Sequence, residues 1–230
     1  MSLSLIAAVL CLVFHVSAPT IPSVSSAVSA SQPKIKLIAL TFDDGPNAKI
    51  TPLILATLKQ YQIRATFFVI GLEARKHEEL IKQEIEAGHE IGNHTLSHRR
   101  LTSLGDEKVL GQMAGAQKII GDKTAVRFIR PPYGSHNARI DRLAKRLGLQ
   151  MITWTLASND WRGYPASRLT QQIVTLARPN DIILFHDIHS NAAEALPKII
   201  QGLKERGFTF ATVNELLQPG VKLPCGIEVH

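Results

Sequence analysis

Two pairs of side chains in this sequence have the types and spacing to do chemistry together. Asp43 and Asp44 stand side by side before Gly45-Pro46, and His94 and His98 stand four residues apart. On a helical turn, residues four apart have Cβ atoms about 5–6 Å from each other, so both imidazoles can grip one ion. Asp44 is a candidate third ligand, giving a two-histidine, one-carboxylate set that leaves coordination positions open for water and substrate. Each pair alone has a plainer reading, the histidines as a surface or packing pair and Asp-Asp-Gly-Pro as a turn. Together they point to a metal-assisted hydrolase, in which a cation brings the pKa of its water to about 7 and polarises a carbonyl. A closed structural zinc site would need a fourth protein ligand. A non-haem iron oxygenase uses the same triad but has no need of a second carboxylate or an additional histidine.

Such a constellation needs elements to converge. Residues 35–42 read as a β-branched strand ending at the acidic pair, and 65–70 as a second strand, with an amphipathic helix at 50–61 between them. The alternation continues with helices at 73–87, 106–120, 138–147, 166–177 and 192–206 and strands at 90–92, 126–129, 150–154, 181–185 and 208–212. A short helix at 214–217 closes the series. Seven βα units of this kind favour an α/β fold, a closed or nearly closed parallel barrel, with an open doubly wound sheet as the alternative. Barrel active sites sit on the loops after the strands. Asp43 and Asp44, His94 and His98, Arg130 to Gly134, Asp160 and Trp161, and His186 all fall there.

The 230 residues are 45% hydrophobic and 20% charged, which excludes a disordered polyelectrolyte and a polytopic membrane protein. The two cysteines, Cys11 and Cys225, offer neither a disulfide framework nor a cysteine metal module. Residues 5–16 form an apolar run of signal-peptide length, too short to span a bilayer, although no Lys or Arg precedes it. We therefore expect residues 1–30 to be a signal peptide or an uncleaved N-terminal anchor, and 31–230 to be the domain, exported to the periplasm, cell wall or extracellular space. The formal charge of +7 lies wholly in the latter part and suits either solubility or an acidic cell-wall polymer. No dense basic run interleaved with aromatics suggests nucleic acid.

Five motifs, read in order, carry a resemblance: Thr41-Phe42-Asp43-Asp44-Gly45-Pro46, His94-Thr95-Leu96-Ser97-His98, Arg130-Pro131-Pro132-Tyr133-Gly134, Asp160-Trp161 and Leu184-Phe185-His186. The sequence resembles the polysaccharide deacetylases (NodB-homology domain, carbohydrate esterase family 4) over nearly all of 35–217. The resemblance implies a distorted (β/α)7-type barrel and one divalent metal ion, with zinc as the default and cobalt, nickel or iron as alternatives. It implies removal of acetyl groups from N-acetylhexosamine units of a peptidoglycan or chitin-like glycan, water on the metal attacking the acetamide carbonyl. An acetylxylan-type O-deacetylase and a catalytically silent carbohydrate binder are the alternatives. We expect a monomer whose partner is the glycan, touching a membrane only through an uncleaved leader.

By the same resemblance, Asp44, His94 and His98 hold the metal, Asp43 is the general base paired with Arg130, and His186 is the general acid supported by Asp160. Tyr133 offers a backbone N–H to the oxyanion, Trp161 packs beside the acid, and Leu184 lines the pocket for the acetyl methyl group. One position departs from the pattern: Ala157 stands where many members carry an acid, which would loosen Arg130 or change the sugar accepted. His189 is expected to cap a helix or face solvent, and His77, His89, His136 and His230 are given no role.

Overall fold

The structure is a computed structural model that describes residues 35–121 and 123–218. The leader at 1–30, Cys11, Cys225 and His230 lie outside these residues. Strand β1 (Lys36–Asp43) is central, and from Ile38 onward all its residues are buried. It pairs in parallel with β2 (Thr66–Val69) and β7 (Ile182–His186), while β8 (Phe208–Phe210) pairs with its first residues. Beyond β2 follow β3 (Glu90–Asn93), β4 (Phe128–Ile129) and β5 (Gln150–Met151), and beyond β7 lies β6 (Leu156–Ala157). Every ladder is parallel. The expected βα barrel is therefore present as a curled sheet, and no ladder among the described residues joins its end strands β5 and β6.

Side chains alternate between the two faces of a strand. In β1, Ile38, Leu40 and Phe42 join the larger core beneath the helices, where Phe42 stacks on Phe67 at 5.1 Å and on Phe185 at 5.6 Å. Each such fully buried side chain contributes about 1.5–3 kcal/mol. Ala39 lies on the other face in a smaller cluster with Phe68, Phe128, Ile152 and Ile182. By the same alternation Thr41 and Asp43, and Leu184 and His186 of β7, share that inner face. The register places Thr41 opposite Leu184 and Asp43 opposite His186. A one-residue slip would turn all four away from each other.

The helices are α1 (Thr51–Tyr61), α2 (Gly71–Lys76), α3 (Glu78–Glu86), α4 (Asp106–Gly121), α5 (Ala138–Arg146), α6 (Ala166–Leu176), α7 (Ser190–Glu205) and α8 (Val213–Leu216). None is long and apolar enough to cross a membrane. The single helix expected at 73–87 is two, because His77 adopts φ −127° and ψ 48° and breaks the turn. No Gly or Pro marks that break in the sequence. The strands expected at 126–129, 150–154 and 208–212 shorten to two, two and three residues. The two-residue β6, which follows Thr155 and supplies the Asp160 loop, was not expected; it forms by pairing with Ile183 and Leu184.

Phe68 on the inner face leaves no room at its neighbour across the ladder. A Cβ on Gly92 would lie 2.4 Å from the Phe68 ring, which also supports the Arg130 guanidinium at 4.0 Å. We predict that Gly92→Ala destabilises the domain by about 1–3 kcal/mol, read by urea unfolding. A change below about 0.5 kcal/mol, the range of a neutral surface substitution, would show that Phe68 is free to move.

Candidate active site

Asp43, Asp44, His94, His98, Tyr133, Trp161, Leu184 and His186 line one cavity of about 470 Å³ at the carboxyl ends of the strands. Arg130 and Asp160 lie behind it, fully or almost fully buried. The sequence-predicted residues thus come together, but the path of the chain between His94 and His98 differs from the helical turn expected. Strand β3 ends at Asn93, whose side chain accepts the Thr95 N–H at 2.8 Å. Thr95 and His98 then take left-handed φ values of 68° and 56°, and the two rings lie 5.0 Å apart.

Asp44 Oδ1 is 3.3 Å from His94 Nε2 and 3.2 Å from His98 Nε2. That oxygen is buried and accepts no hydrogen bond. The His94 Nδ1 atom lies 2.8 Å from the Arg130 carbonyl, which can only accept, so Nδ1 carries the proton and Nε2 turns a lone pair toward Asp44. One oxygen and two nitrogens lie within 4.8 Å of one another. Zinc bonds of about 2.0–2.2 Å in a tetrahedron set ligand atoms roughly 3.3 Å apart, so the donor set fits a divalent cation.

Burial and mutual charge set the ionisation of these groups together. Burial works to raise the Asp44 carboxyl, but His94 and His98 outweigh it and bring it to about 2. Burial works to lower His94, and Asp43 and Asp44 more than reverse it. His98 is pushed down by burial and by His94. Asp44 itself has φ 77°. Left-handed backbone at non-glycine residues costs about 1–3 kcal/mol and persists only where the surroundings enforce it. Here they do: the Asp187 N–H donates to the Asp43 carbonyl at 3.1 Å, and the Asp187 carboxyl accepts from Thr51 at the start of α1. A Cβ on Gly45 would lie 2.0 Å from that carboxyl. Glycine is therefore required directly after Asp44.

Arg130 Nη1 donates to Asp43 Oδ1 and to Thr41 Oγ1, each at 2.7 Å, and Nη2 donates to the Thr153 carbonyl at 3.0 Å. With these bonds Arg130 is not loosened by Ala157; only its Nε lacks an acceptor. Burial lowers the guanidinium pKa and Asp43 opposes that, but arginine stays cationic in any case. On the other side, His186 Nδ1 meets Asp160 Oδ1 at 2.7 Å, and the His186 N–H donates to Asp160 Oδ2 at 2.7 Å. Burial would lower His186, yet Asp160 lifts it to about 9. Tyr133 has φ 63°, and its N–H has no acceptor among the described residues.

A profile of the polysaccharide deacetylase family matches residues 30–152, more than half of the chain. The chain belongs to the polysaccharide deacetylase family. It is similar to a peptidoglycan-N-acetylglucosamine deacetylase of Bacillus cereus, 38% identical over 80% of this chain and 89% of the relative. It is also 38% identical to a peptidoglycan-N-acetylglucosamine deacetylase of Listeria monocytogenes over 83% of this chain, but spans only 40% of that relative's length. Among solved structures, a peptidoglycan deacetylase of Bacillus subtilis superposes with a TM-score of 0.75 at 35% identity, over 80% of this chain and 91% of the other.

Two cavity residues were not anticipated by the sequence of this deacetylase-family chain. Trp154, read as the end of a strand, lines the cavity and fills the space where a Cβ on Gly134 would stand, 2.9 Å away. His189 does precede α7 but makes no side-chain cap. Its ring instead meets His186 edge-on at 5.8 Å. Its spacing of three from His186 was the available signal.

Zinc binding gives a direct check on the triad. At 100 times its Kd a ligand stabilises by about 2.7 kcal/mol, which for a domain of this size raises Tm by roughly 5–10 °C. We predict such a rise for the wild type and its loss in Asp44→Asn, because asparagine tolerates positive φ and removes only the charge. An equal rise in the variant, seen by calorimetry, would place the metal elsewhere.

Proposed function

We propose that this chain is a metal-dependent polysaccharide N-deacetylase, a hydrolase of carbon–nitrogen bonds other than peptide bonds. Its substrate is an N-acetylhexosamine glycan, peptidoglycan ahead of chitin-like polymers. The observation that carries the reading is that a metal-competent triad, an arginine-paired carboxylate and an aspartate-paired histidine face one cavity. The relatives' peptidoglycan activity supports the substrate.

We assign zinc to Asp44, His94 and His98, a ligand set that cobalt, nickel or iron also suits. When bound, the cation supplies Lewis-acid polarisation and a water acidic enough to react near neutral pH. Asp43 acts as general base: Arg130 occupies its Oδ1, leaving Oδ2 to accept the proton of the attacking water. The acetamide oxygen gains charge as its carbon becomes tetrahedral, and the Tyr133 N–H donates to it. His186 is protonated below about pH 9 and holds Nδ1 on Asp160, so its Nε2 can pass a proton to the amine nitrogen as the C–N bond breaks. Acetate and the free amino sugar result. Leu184 lines the pocket for the acetyl methyl, whose burial is worth about 1 kcal/mol and so orients more than it drives, and Trp161 packs beside the acid.

The leader read at 1–30 lies outside the described residues. Its apolar run and the cell-wall substrates of the relatives support an exported domain at 31–230, acting as a monomer in the cell wall, periplasm or medium. Any membrane contact is through the leader.

Asp43→Asn is predicted to retain zinc and glycan binding while acetate release falls at least about 100-fold, the ordinary worth of a general base. A metal-loaded wild type that binds glycans and releases no acetate would instead make the chain a silent binder. A second prediction concerns pH. A raised His186 pKa means the acid is present at neutral pH and lost as pH rises through about 9. Asp160→Asn removes the charge that lifts it, so the alkaline limb of kcat/KM must move to lower pH. An unmoved limb would assign the proton donor to another group.

A further inference from the structure

The mouth of the cavity carries two exposed aromatic rings, Tyr133 at 59% and Trp161 at 55% of full exposure. Each has an arginine laid on it, with Arg100 Cζ 4.5 Å from the Tyr133 centroid and Arg162 Cζ 4.8 Å from that of Trp161. The Tyr133 ring touches His98 edge-on at 4.7 Å, and Trp161 follows the aspartate that holds His186. The two pairs therefore stand beside the two halves of the site, on loops from strands either side of β1 in the sheet order.

Arginines on aromatic rings are common as plain packing, and the molecule contains the contrast. Arg206 also lies over a ring, that of Phe208 at 5.1 Å, but it spends its donors on the Val174 and Ala177 carbonyls. Exposed Arg64 and half-buried Arg139 are paired with Glu215 and Asp106. Among the described residues, the guanidinium groups of Arg100 and Arg162 meet no carboxylate and donate to no backbone carbonyl, and neither does that of Arg168, which lies 3.6 Å over Tyr164 in the Trp161 loop. The Tyr164 phenol is held below its ordinary value first by a hydrogen bond from the Arg162 side chain and then by the charge of Arg168, which leaves Arg162 its remaining N–H donors. A guanidinium resting over a ring is partly positioned in advance, and its unspent N–H donors can meet a planar anion.

We propose that Arg100 and Arg162 read carboxylates on the glycan, so that this site selects an N-acetylhexosamine polymer bearing acidic substituents over a neutral one of equal length. The inference rests on the deacetylase reading and adds to it what the rim recognises. The aromatic faces take the sugar rings of either polymer. The guanidinium edges distinguish them.

The test compares a peptide-free peptidoglycan tetrasaccharide, whose muramic acid units carry lactyl carboxylates, with the same tetrasaccharide after amidation of those carboxylates. Zinc-loaded wild type, Arg100→Gln, Arg162→Gln, the double variant and a control on α5 away from the cavity, Arg142→Gln, are assayed for acetate release and, by calorimetry, for binding. Exposed charge pairs of this kind are worth about two- to fivefold each. The acidic-over-neutral ratio of kcat/KM should therefore fall about tenfold in the double variant, mainly through KM, and stay at the wild-type value in Arg142→Gln. The wild-type preference should also shrink between about 50 and 500 mM salt, as screening requires. A ratio of one in the wild type, or an unchanged ratio in the double variant, overturns the inference and leaves the deacetylase reading standing. No acetate from either glycan, with the binding preference intact and lost in the double variant, overturns the deacetylase reading and supports the arginines' role.

Discussion

One buried oxygen governs this molecule. Asp44 Oδ1 sits between two imidazole nitrogens at 3.2 and 3.3 Å, accepts no hydrogen bond, and is carried on a left-handed residue. A buried polar atom left unsatisfied costs about 1–3 kcal/mol, and the backbone conformation adds a similar amount. A divalent cation held there, as proposed, would remove the first cost and offset the second. The surrounding fold keeps that atom in place.

That arrangement is hierarchical. The parallel register of β1 and β7 brings Asp43 opposite His186 on the inner face. Arg130 is wholly buried, and it couples β1 to the loop after β4 by bonding Asp43 and Thr41 together. Removing one member of such a buried ion pair costs about 3–5 kcal/mol, so the group that positions the proposed base also contributes to the stability of the fold. Its own carbonyl fixes the His94 ring. Arg130 thus touches both the proposed base and a proposed metal ligand, so a substitution there would disturb the site and the packing together. Asp187 does the corresponding work for the Asp44 loop, through the Asp43 carbonyl and Thr51.

Much of this was legible in the residues because strand ends are short-range signals. The β-branched runs of β1, β2 and β7 gave their own positions, and the polar residues that stop them gave the site. Tertiary context decided what remained hidden. Two-residue strands such as β6 exist only through pairing with a neighbour, here Ile183 and Leu184. The helical turn expected for His94 to His98 was displaced by the Asn93 side chain, which caps Thr95 and reverses the chain. Local rules give His189 a capping or solvent-facing role and Trp154 the end of a strand; the spacing of His189 from His186 permits their ring contact without requiring it, and nothing in the spacing brings Trp154 to Gly134. Ala157 suggested a loosened Arg130, but Thr41 and the Thr153 carbonyl, distant in sequence, hold it.

The convergence of three donor atoms on one cation can be measured without reference to any substrate. Crystals of the protein grown with millimolar zinc, with diffraction collected across the zinc absorption edge, locate the ion by its anomalous signal. One peak per domain is expected, about 2.0–2.2 Å from an Asp44 carboxylate oxygen and from the Nε2 atoms of His94 and His98. A peak bound to other residues, or none while those three side chains keep the positions described, would contradict that convergence.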